Sequence, residues 1–161
     1  MTAPGPRLAL LLLGSYRKLV NAAVAELAAQ GYADVRPSLH YAMSAIDLGA
    51  GTASELGRAL SVTKQAASKT ITLLEGRGWV ALRDDAADRR RKQIVVTELG
   101  HDVMRAGESI FDELRQTWSD RVGSDVLRDL EEQLAAFVGE ESIRLDAPGW
   151  ISTSEEPSAM P

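Results

Sequence analysis

Residues 51–100 read GTASELGRALSVTKQAASKTITLLEGRGWVALRDDAADRRRKQIVVTELG, and the fold follows from this segment. Thr52 and Glu55 have the spacing of a capping box, which predicts a helix over Ala53–Leu60. Ser61 is placed to cap a second helix, from Val62 to about Glu75. Residues 79–83 (WVALR) and 92–96 (KQIVV), both rich in apolar side chains, then predict two strands around a polar segment with three consecutive arginines. We predict two short helices joined by a tight turn, followed by a β-hairpin with a basic tip.

The flanking segments have helical periodicity. We expect helices over 7–30, 34–50, 98–121 (capped by Thr97) and 125–144 (capped by Ser124), with a break at Gly123. The first of these is apolar around its circumference from Leu8 to Leu12, which is typical of a helix covered on more than one side. In a chain of 161 residues this favours a partner subunit. The last two helices form a hairpin that is well suited to bury surface against a second copy.

The predicted fold is therefore mainly α with a small β-wing: a winged helix-turn-helix flanked by N- and C-terminal dimerisation helices. Residues 7–35 form the N-terminal dimerisation helix, 36–100 the winged helix-turn-helix, and 101–145 the C-terminal dimerisation helices. Residues 146–161 are rich in proline, serine and acidic residues, which predicts a mostly disordered tail.

Composition excludes several classes of protein. The chain has no cysteine, which rules out a disulfide framework, a thiolate zinc site and a cysteine redox sensor, and fits a cytoplasmic location. The longest apolar run, Leu8–Leu13, is too short to cross a bilayer. Tyr16, Arg17 and Lys18 follow it where a signal peptide would have small residues. We therefore expect no membrane association.

The net charge of −5 hides a strong polarity along the chain. Nine basic and four acidic residues lie between Arg58 and Lys92, whereas five arginines and fifteen acidic residues lie from Glu98 to the end. Residues 1–57 are balanced. The helix-turn-helix and hairpin are thus the net-positive part of an acidic protein, which indicates a nucleic-acid-binding surface.

The second short helix has two different faces. Ala67, Ile71 and Leu74 fall at i, i+4 and i+7 and should point inward. The outward side carries hydroxyls, an amide and two lysines, the groups that contact base edges and phosphates. The predicted DNA-binding residues on this face are Thr63, Lys64, Gln65, Ser68, Lys69 and Thr72. Leu73 also has an outward position, unless it packs against the wing.

The window Leu56–Gly100 resembles the MarR family of transcription regulators. SELGRAL and SVTKQAASKTITLLEGRGWV are similar to the family's helix, recognition helix and Leu-Glu-x-x-Gly-x-Val exit. ADRRRKQIVVTELG is similar to its wing pattern, Asp-x-Arg followed by a basic strand and Leu-Thr-x-x-Gly. These positions are Asp88, Arg90, Val96, Thr97 and Gly100, with Val96 in place of the usual Leu. The flanking helices extend the likeness over about Leu8–Arg144.

The resemblance implies a homodimer on double-stranded DNA, with each recognition helix in the major groove of a pseudo-palindrome. It places the wing tip, Arg89, Arg90 and Arg91, at the flanking minor groove, with Asp88 orienting Arg90. It further implies a cleft for a small aromatic or lipophilic effector, framed here by Tyr16, Arg17, His40 and Tyr41. For His40, ordinary packing between helices is the favoured interpretation. Such regulators are more often repressors than activators.

Two other functions remain open from the sequence. A winged helix can serve protein–protein contact without DNA. An enzyme using His40 or His101 is the second alternative, but no acid, base or metal constellation accompanies either histidine, and no phosphate-loop or dinucleotide motif occurs. We predict no catalytic residues, no metal and no cofactor.

Overall fold

The computed structural model describes residues 4–85, 87–88 and 92–139, and within them it has the predicted order of helices and strands. The elements are α1 (Pro4–Ala29), α2 (Pro37–Asp47), α3 (Ala53–Leu60), α4 (Lys64–Gly76), β1 (Val80–Asp84), β2 (Lys92–Val96), α5 (Glu98–Val122) and α6 (Ser124–Val138). The mainly helical fold with a small β-wing is confirmed. The predicted tail, residues 146–161, lies outside the described residues.

The core lies where α2, α3 and α4 meet the strands and α5. Met43, Leu56, Leu74 and Val103 are its largest fully buried side chains. They come from four different helices, so burial of their apolar surface holds the helix-turn-helix to α2 and α5. α1 packs along α5 and buries Ala23 and Leu27.

The wing is a two-stranded antiparallel sheet. Its register pairs Val80 with Val96 and Asp84 with Lys92. The Gly51 carbonyl accepts a hydrogen bond from the Ile94 N–H at 2.9 Å, so the segment before α3 is attached to β2. Ile94 is buried. The base of the wing is thus part of the core, and its position follows that of α3.

Several predicted helix ends were wrong, for identifiable reasons. Ser61 does not cap the next helix: it ends α3 in a left-handed conformation, φ 55°, and Thr63 caps α4 instead. α2 begins at Pro37 rather than Asp34, because Asp34 has φ 57° and Arg36 is extended before proline.

The two C-terminal corrections also concern helix ends. Gly123 occupies the N-cap position of α6, where no side chain makes a capping bond, so the predicted cap by Ser124 was wrong. α6 ends at Val138, short of Arg144, because Gly139 has φ 73°. Glycine takes positive φ at low cost and commonly ends a helix. The break at Gly123 is confirmed.

Among the residues that the structure describes, one helix is long and apolar enough, by length and composition alone, to cross a membrane. It is α1, whose most apolar window has a mean hydropathy of 1.3 and is 6% buried. The short length of the run Leu8–Leu13 therefore does not by itself exclude a membrane span, since the criterion applies to the whole helix. Core helices of soluble proteins and signal sequences meet the same criterion.

Candidate nucleic-acid interface

The helix-turn-helix is compact because its turn allows close backbone contact. Thr52 caps α3 as predicted, with its hydroxyl oxygen accepting from the Glu55 N–H at 3.2 Å. A Cβ on Gly57 would lie 3.0 Å from the Val62 carbonyl oxygen, so the chain after α3 passes directly over Gly57. The Val62 N–H donates to the Gly57 carbonyl. This turn fixes the angle at which α4 leaves α3.

α4 has the two faces that the sequence predicted. Ala67, Ile71 and Leu74 are buried. The side chains of Lys64, Gln65, Ser68 and Lys69 are exposed and make no hydrogen bond or ion pair to other described residues. Donors and acceptors left free on one helix face can be satisfied by water or by a nucleic acid.

The two threonines of this face already have partners. The Thr63 hydroxyl oxygen accepts from the Ala66 N–H at 3.1 Å and so caps the helix. The Thr72 hydroxyl donates to the Ser68 carbonyl at 3.0 Å. Both remain exposed. Leu73, beside them, is 43% exposed, so its predicted outward position is confirmed.

The described part of the wing is held by polar contacts across its strands. Lys92 pairs with Asp84 at 2.6 Å, and the Gln93 amide donates to Asp85 at 3.0 Å. Asp88 is exposed. The predicted minor-groove residues Arg89, Arg90 and Arg91 lie outside the described residues, and so does any contact between Asp88 and Arg90.

A contact that the sequence did not reveal joins the start of α5, directly after the wing, to the end of α2. His101, on the first turn of α5, has its Nε2 atom 2.8 Å from an Asp47 carboxylate oxygen at the end of α2. The two residues are 54 positions apart. No local pattern signals such a pair, because only the fold brings these helix ends together.

The four residues proposed for the effector cleft are only partly brought together. Tyr16 lies near Tyr41, and burial, followed by that neighbour, raises the pKa of the Tyr16 phenol. His40 packs on α5, where a Cβ on Gly107 would be 3.5 Å from its Nδ1 atom. Burial lowers the pKa of His40, opposed by Glu108. Arg17 is exposed.

A cleft of about 580 Å³ lies between α2 and α3. Of the four predicted residues, only Tyr41 lines it. The remaining lining residues are small, apolar or hydroxyl-bearing, and none is charged: Ser44, Ala45, Leu48, Ala50, Ala59 and Leu60. Its volume is in the usual range of small-molecule sites. An apolar wall without a cation suits a neutral ligand better than a carboxylate.

Metal-binding chemistry has no visible site in residues 4–85, 87–88 and 92–139. Within them, no group of three or more histidine, aspartate or glutamate side chains is placed to hold a metal ion. His40 and His101 lie in separate contacts, with α5 and with Asp47.

Comparison with solved structures places this architecture among known regulators. MepR of Staphylococcus aureus, a transcription regulator of the multidrug efflux pump MepA, has 22% identity and a TM-score of 0.62, with 81% of this chain and 95% of that chain covered. A MepR variant bound to an oligodeoxyribonucleotide has 21% identity and a TM-score of 0.56 over 81% and 94%. CouR of Rhodococcus jostii RHA1, bound to p-coumaroyl-CoA, has 17% identity and a TM-score of 0.61 over 89% and 99%.

At this identity the structures establish the fold, and no curated protein sequence matches significantly. The capped helix-turn-helix and its wing give the chain a winged helix-turn-helix fold, with the polar face of α4 left exposed. Residues 41–91 match the model of the MarR family. The match covers about a third of the chain, and over this segment the chain is similar to the MarR family.

Proposed function

We propose that the protein is a sequence-specific regulator, a repressor, that binds double-stranded DNA as a homodimer on a pseudo-palindrome. The free polar face of α4 carries this proposal. Lys64, Gln65 and Ser68 are presented by a helix whose opposite face is buried. The backbone of a packed helix is already ordered before binding, and amide and lysine groups read base edges in the major groove. Lys69 is assigned to phosphate.

The wing supplies the second contact of the proposal. Its strands are tied to each other and to Gly51, so a displacement of α3 and α4 carries the hairpin with it. Arg89, Arg90 and Arg91, which follow β1 and precede β2 in the sequence, are the residues that we propose for minor-groove contact. Arginine is favoured in narrow A·T-rich minor grooves because their negative potential is enhanced.

The exposed apolar surface supports the dimer. Leu8, Leu10 and Leu11 on α1 are between 56% and 62% exposed. On α6, Phe137 is 83% and Val126 58% exposed. Large apolar side chains clustered at both ends of a chain indicate an interface. A second copy of this chain, with the same two helices, gives each apolar helix a partner and sets the spacing of two recognition helices.

A small aromatic or lipophilic effector completes the proposed mechanism. The cleft between α2 and α3 supports it, as does the position of Tyr16, whose pKa is raised by burial and then by Tyr41 at the edge of this cleft. CouR, of the same fold, was solved with bound p-coumaroyl-CoA. An effector that releases DNA must bind one separation of the recognition helices better than the other. We place the regulator in the cytoplasm, where its DNA target is found.

The test is duplex affinity for the recognition face. An operator duplex selected from a random pool is titrated with the wild type and with Lys64→Ala, Gln65→Ala and Ser68→Ala, and anisotropy gives Kd at several salt concentrations. We expect a base-reading residue to lose about tenfold or more, since such a contact contributes about 1–3 kcal/mol. Arg121→Ala, at the far end of α5, is the control for loss of a positive charge. Unchanged affinity in all three variants would exclude this face of α4 as the reading surface, and failure of the wild type to select any duplex would favour a protein-interaction module instead.

A further inference from the structure

Arg77, at the end of the recognition helix α4, makes its hydrogen bonds to other residues of the same chain. Its Nη1 atom donates to the carbonyl oxygens of Ala33, at 3.2 Å, and Asp34, at 2.8 Å. Its Nη2 atom donates to the Asp34 carboxylate at 2.8 Å. The side chain is only 21% exposed. Arg77 therefore joins α4 to the loop between α1 and α2, 43 residues earlier in the chain.

The same guanidinium lies over the ring of Trp79, 4.9 Å from its centroid. Trp79 is buried immediately before β1, and its backbone N–H donates to the Leu74 carbonyl of α4. A cation over an indole face is attracted by the ring, most strongly where water is excluded. One side chain thus contacts the α1–α2 loop on one side and the start of the wing on the other.

The α1–α2 loop, which accepts the hydrogen bonds of Arg77, has an unfavourable backbone conformation at Asp34. Asp34 has φ 57°, a left-handed conformation that is unfavourable for most residues other than glycine. Hydrogen bonding to Arg77, the largest influence, lowers the pKa of the Asp34 carboxyl. Arg36 also pairs with Asp34, at 3.2 Å, but this contact stays within the loop. Of these two ion pairs, the one from Arg77 connects the loop to α4.

We propose that Arg77 is a positioning residue for operator recognition. Through Asp34 and Trp79 it fixes the end of α4 and the start of the wing relative to the loop that leaves α1. The inference rests on the proposed function. Only in a dimer bound to DNA does α1 set the spacing of the two recognition helices. The competing role for a basic residue here is a direct phosphate contact.

Replacement of Asp34 separates the two roles by the sign of its effect. Asp34→Asn removes a negative charge, which by itself strengthens attraction to DNA. If Arg77 contacts phosphate, freeing it from Asp34 leaves binding unchanged or improves it. If Arg77 positions α4 through Asp34, the same substitution weakens specific binding in spite of the charge gain.

The experiment measures Kd for the selected operator duplex and for a scrambled duplex across a range of salt, at a temperature where every variant is folded by circular dichroism. We expect Arg77→Ala to weaken operator binding about tenfold and Asp34→Asn about threefold, with scrambled-duplex affinity and salt slope nearly unchanged. Arg77→Lys should recover only part of the loss, because an ammonium cannot reproduce the planar fork. Arg36→Ala, the matched control on the same carboxylate, should stay within about twofold.

The double variant Arg77→Ala with Asp34→Asn should be no weaker than Arg77→Ala alone, because both substitutions break one interaction. A salt slope reduced by about one in Arg77→Ala, with Asp34→Asn binding as tightly as wild type, would overturn the proposal in favour of a phosphate contact. Should Arg77→Ala fail to fold, Asp34→Asn and Arg77→Lys still decide between the two. If the wild type shows no preference for any duplex, the proposed function itself fails, which is a separate result.

Discussion

At the scale of single residues, glycine determines how closely α5 approaches the wing. A Cβ on Gly100 would collide with the Trp79 carbonyl oxygen and would lie 2.7 Å from a Val96 methyl carbon. The first of these is a backbone atom, which cannot move aside as a side chain can. The Thr97 hydroxyl, which accepts from the Gly100 N–H and donates to the Gly78 carbonyl, holds the same junction.

We therefore expect Gly100→Ala to lower the free energy of unfolding by about 3 kcal/mol, near the upper end for overpacking. Gly76→Ala is the matched control, because Gly76 is helical and a Cβ added there would have nothing within 4 Å. That change should be neutral or stabilising by up to about 1 kcal/mol. Urea titrations of both variants measure the difference, and equal effects would contradict the close approach of α5 to Trp79.

His40 gives the fold a pH dependence. Burial lowers its folded pKa, so the unfolded chain takes up a proton at a higher pH than the folded chain. The contribution of His40 to stability is complete well above the unfolded value of about 6.5 and is lost progressively as pH falls toward the lower folded pKa. His40→Gln should remove this component.

Urea unfolding of wild type and His40→Gln between pH 8 and pH 5 is the appropriate measurement. The wild type should lose stability relative to the variant as pH falls through this window. A constant difference between the two proteins would show that His40 does not titrate differently on folding.

Local residue roles could be predicted from the sequence where the partner is near in the chain. Thr52 and Thr97 cap their helices as expected, because each bonds an N–H three residues later. The pairs Arg77–Asp34 and His101–Asp47 could not be predicted, since each joins helix ends that only the tertiary fold brings together.

At the scale of elements, the turn before the recognition helix is where the sequence misled us. Ser61 has the chemistry of an N-cap, yet it takes φ 55° and ends α3, while Thr63 two residues later caps α4. Both side chains are good caps by type, so sequence alone does not choose between them. The choice follows from the chain's path over Gly57.

Ser61→Gly should therefore stabilise the protein by about 0.5–1 kcal/mol, because glycine takes a left-handed conformation without a Cβ penalty. Ser109→Gly, on the exposed middle of α5, should have the opposite sign and cost about 0.5 kcal/mol. Thermal or urea unfolding of the two variants gives the comparison. A destabilised Ser61→Gly variant would show that this turn does not have the left-handed geometry.

The recognition helix shows how far pattern alone can go. The spacing of Ala67, Ile71 and Leu74 identified its buried face, and with it the outward side chains. It could not tell that Thr63 and Thr72 already have backbone partners. The cleft between α2 and α3 was also missed, because its lining comes from side chains that have no chemical motif.

At the scale of the whole molecule, the apolar ends of the chain require a partner in the proposed dimer. Replacing Leu8 and Leu11 with lysine places two charges on the exposed apolar side of α1. We expect this double variant to run as a monomer in size-exclusion chromatography with light scattering, and to bind the operator much more weakly. Gln30→Lys, in the exposed turn directly after α1, should remain dimeric. A dimeric Leu8→Lys, Leu11→Lys variant would exclude this face from the interface.

Charge polarity also belongs to the whole molecule. The net-positive stretch coincides with the helix-turn-helix and the wing, while α5 and α6 are acidic. The acidic α5 and α6 repel DNA, which favours an approach of the duplex to the helix-turn-helix and the wing. Sequence arithmetic was sufficient for this conclusion, because charge segregation follows the linear order of the elements.

Symmetric recognition of DNA is tested by selection of bound duplexes from a random pool with purified wild-type protein. A dimer with two identical reading heads must select an inverted repeat, with half-sites about one helical turn apart or a multiple of it. We predict such a repeat, with two chains bound per duplex by light scattering. A pool without enrichment, or an enriched single half-site bound by one chain, would contradict a dimeric operator-binding regulator.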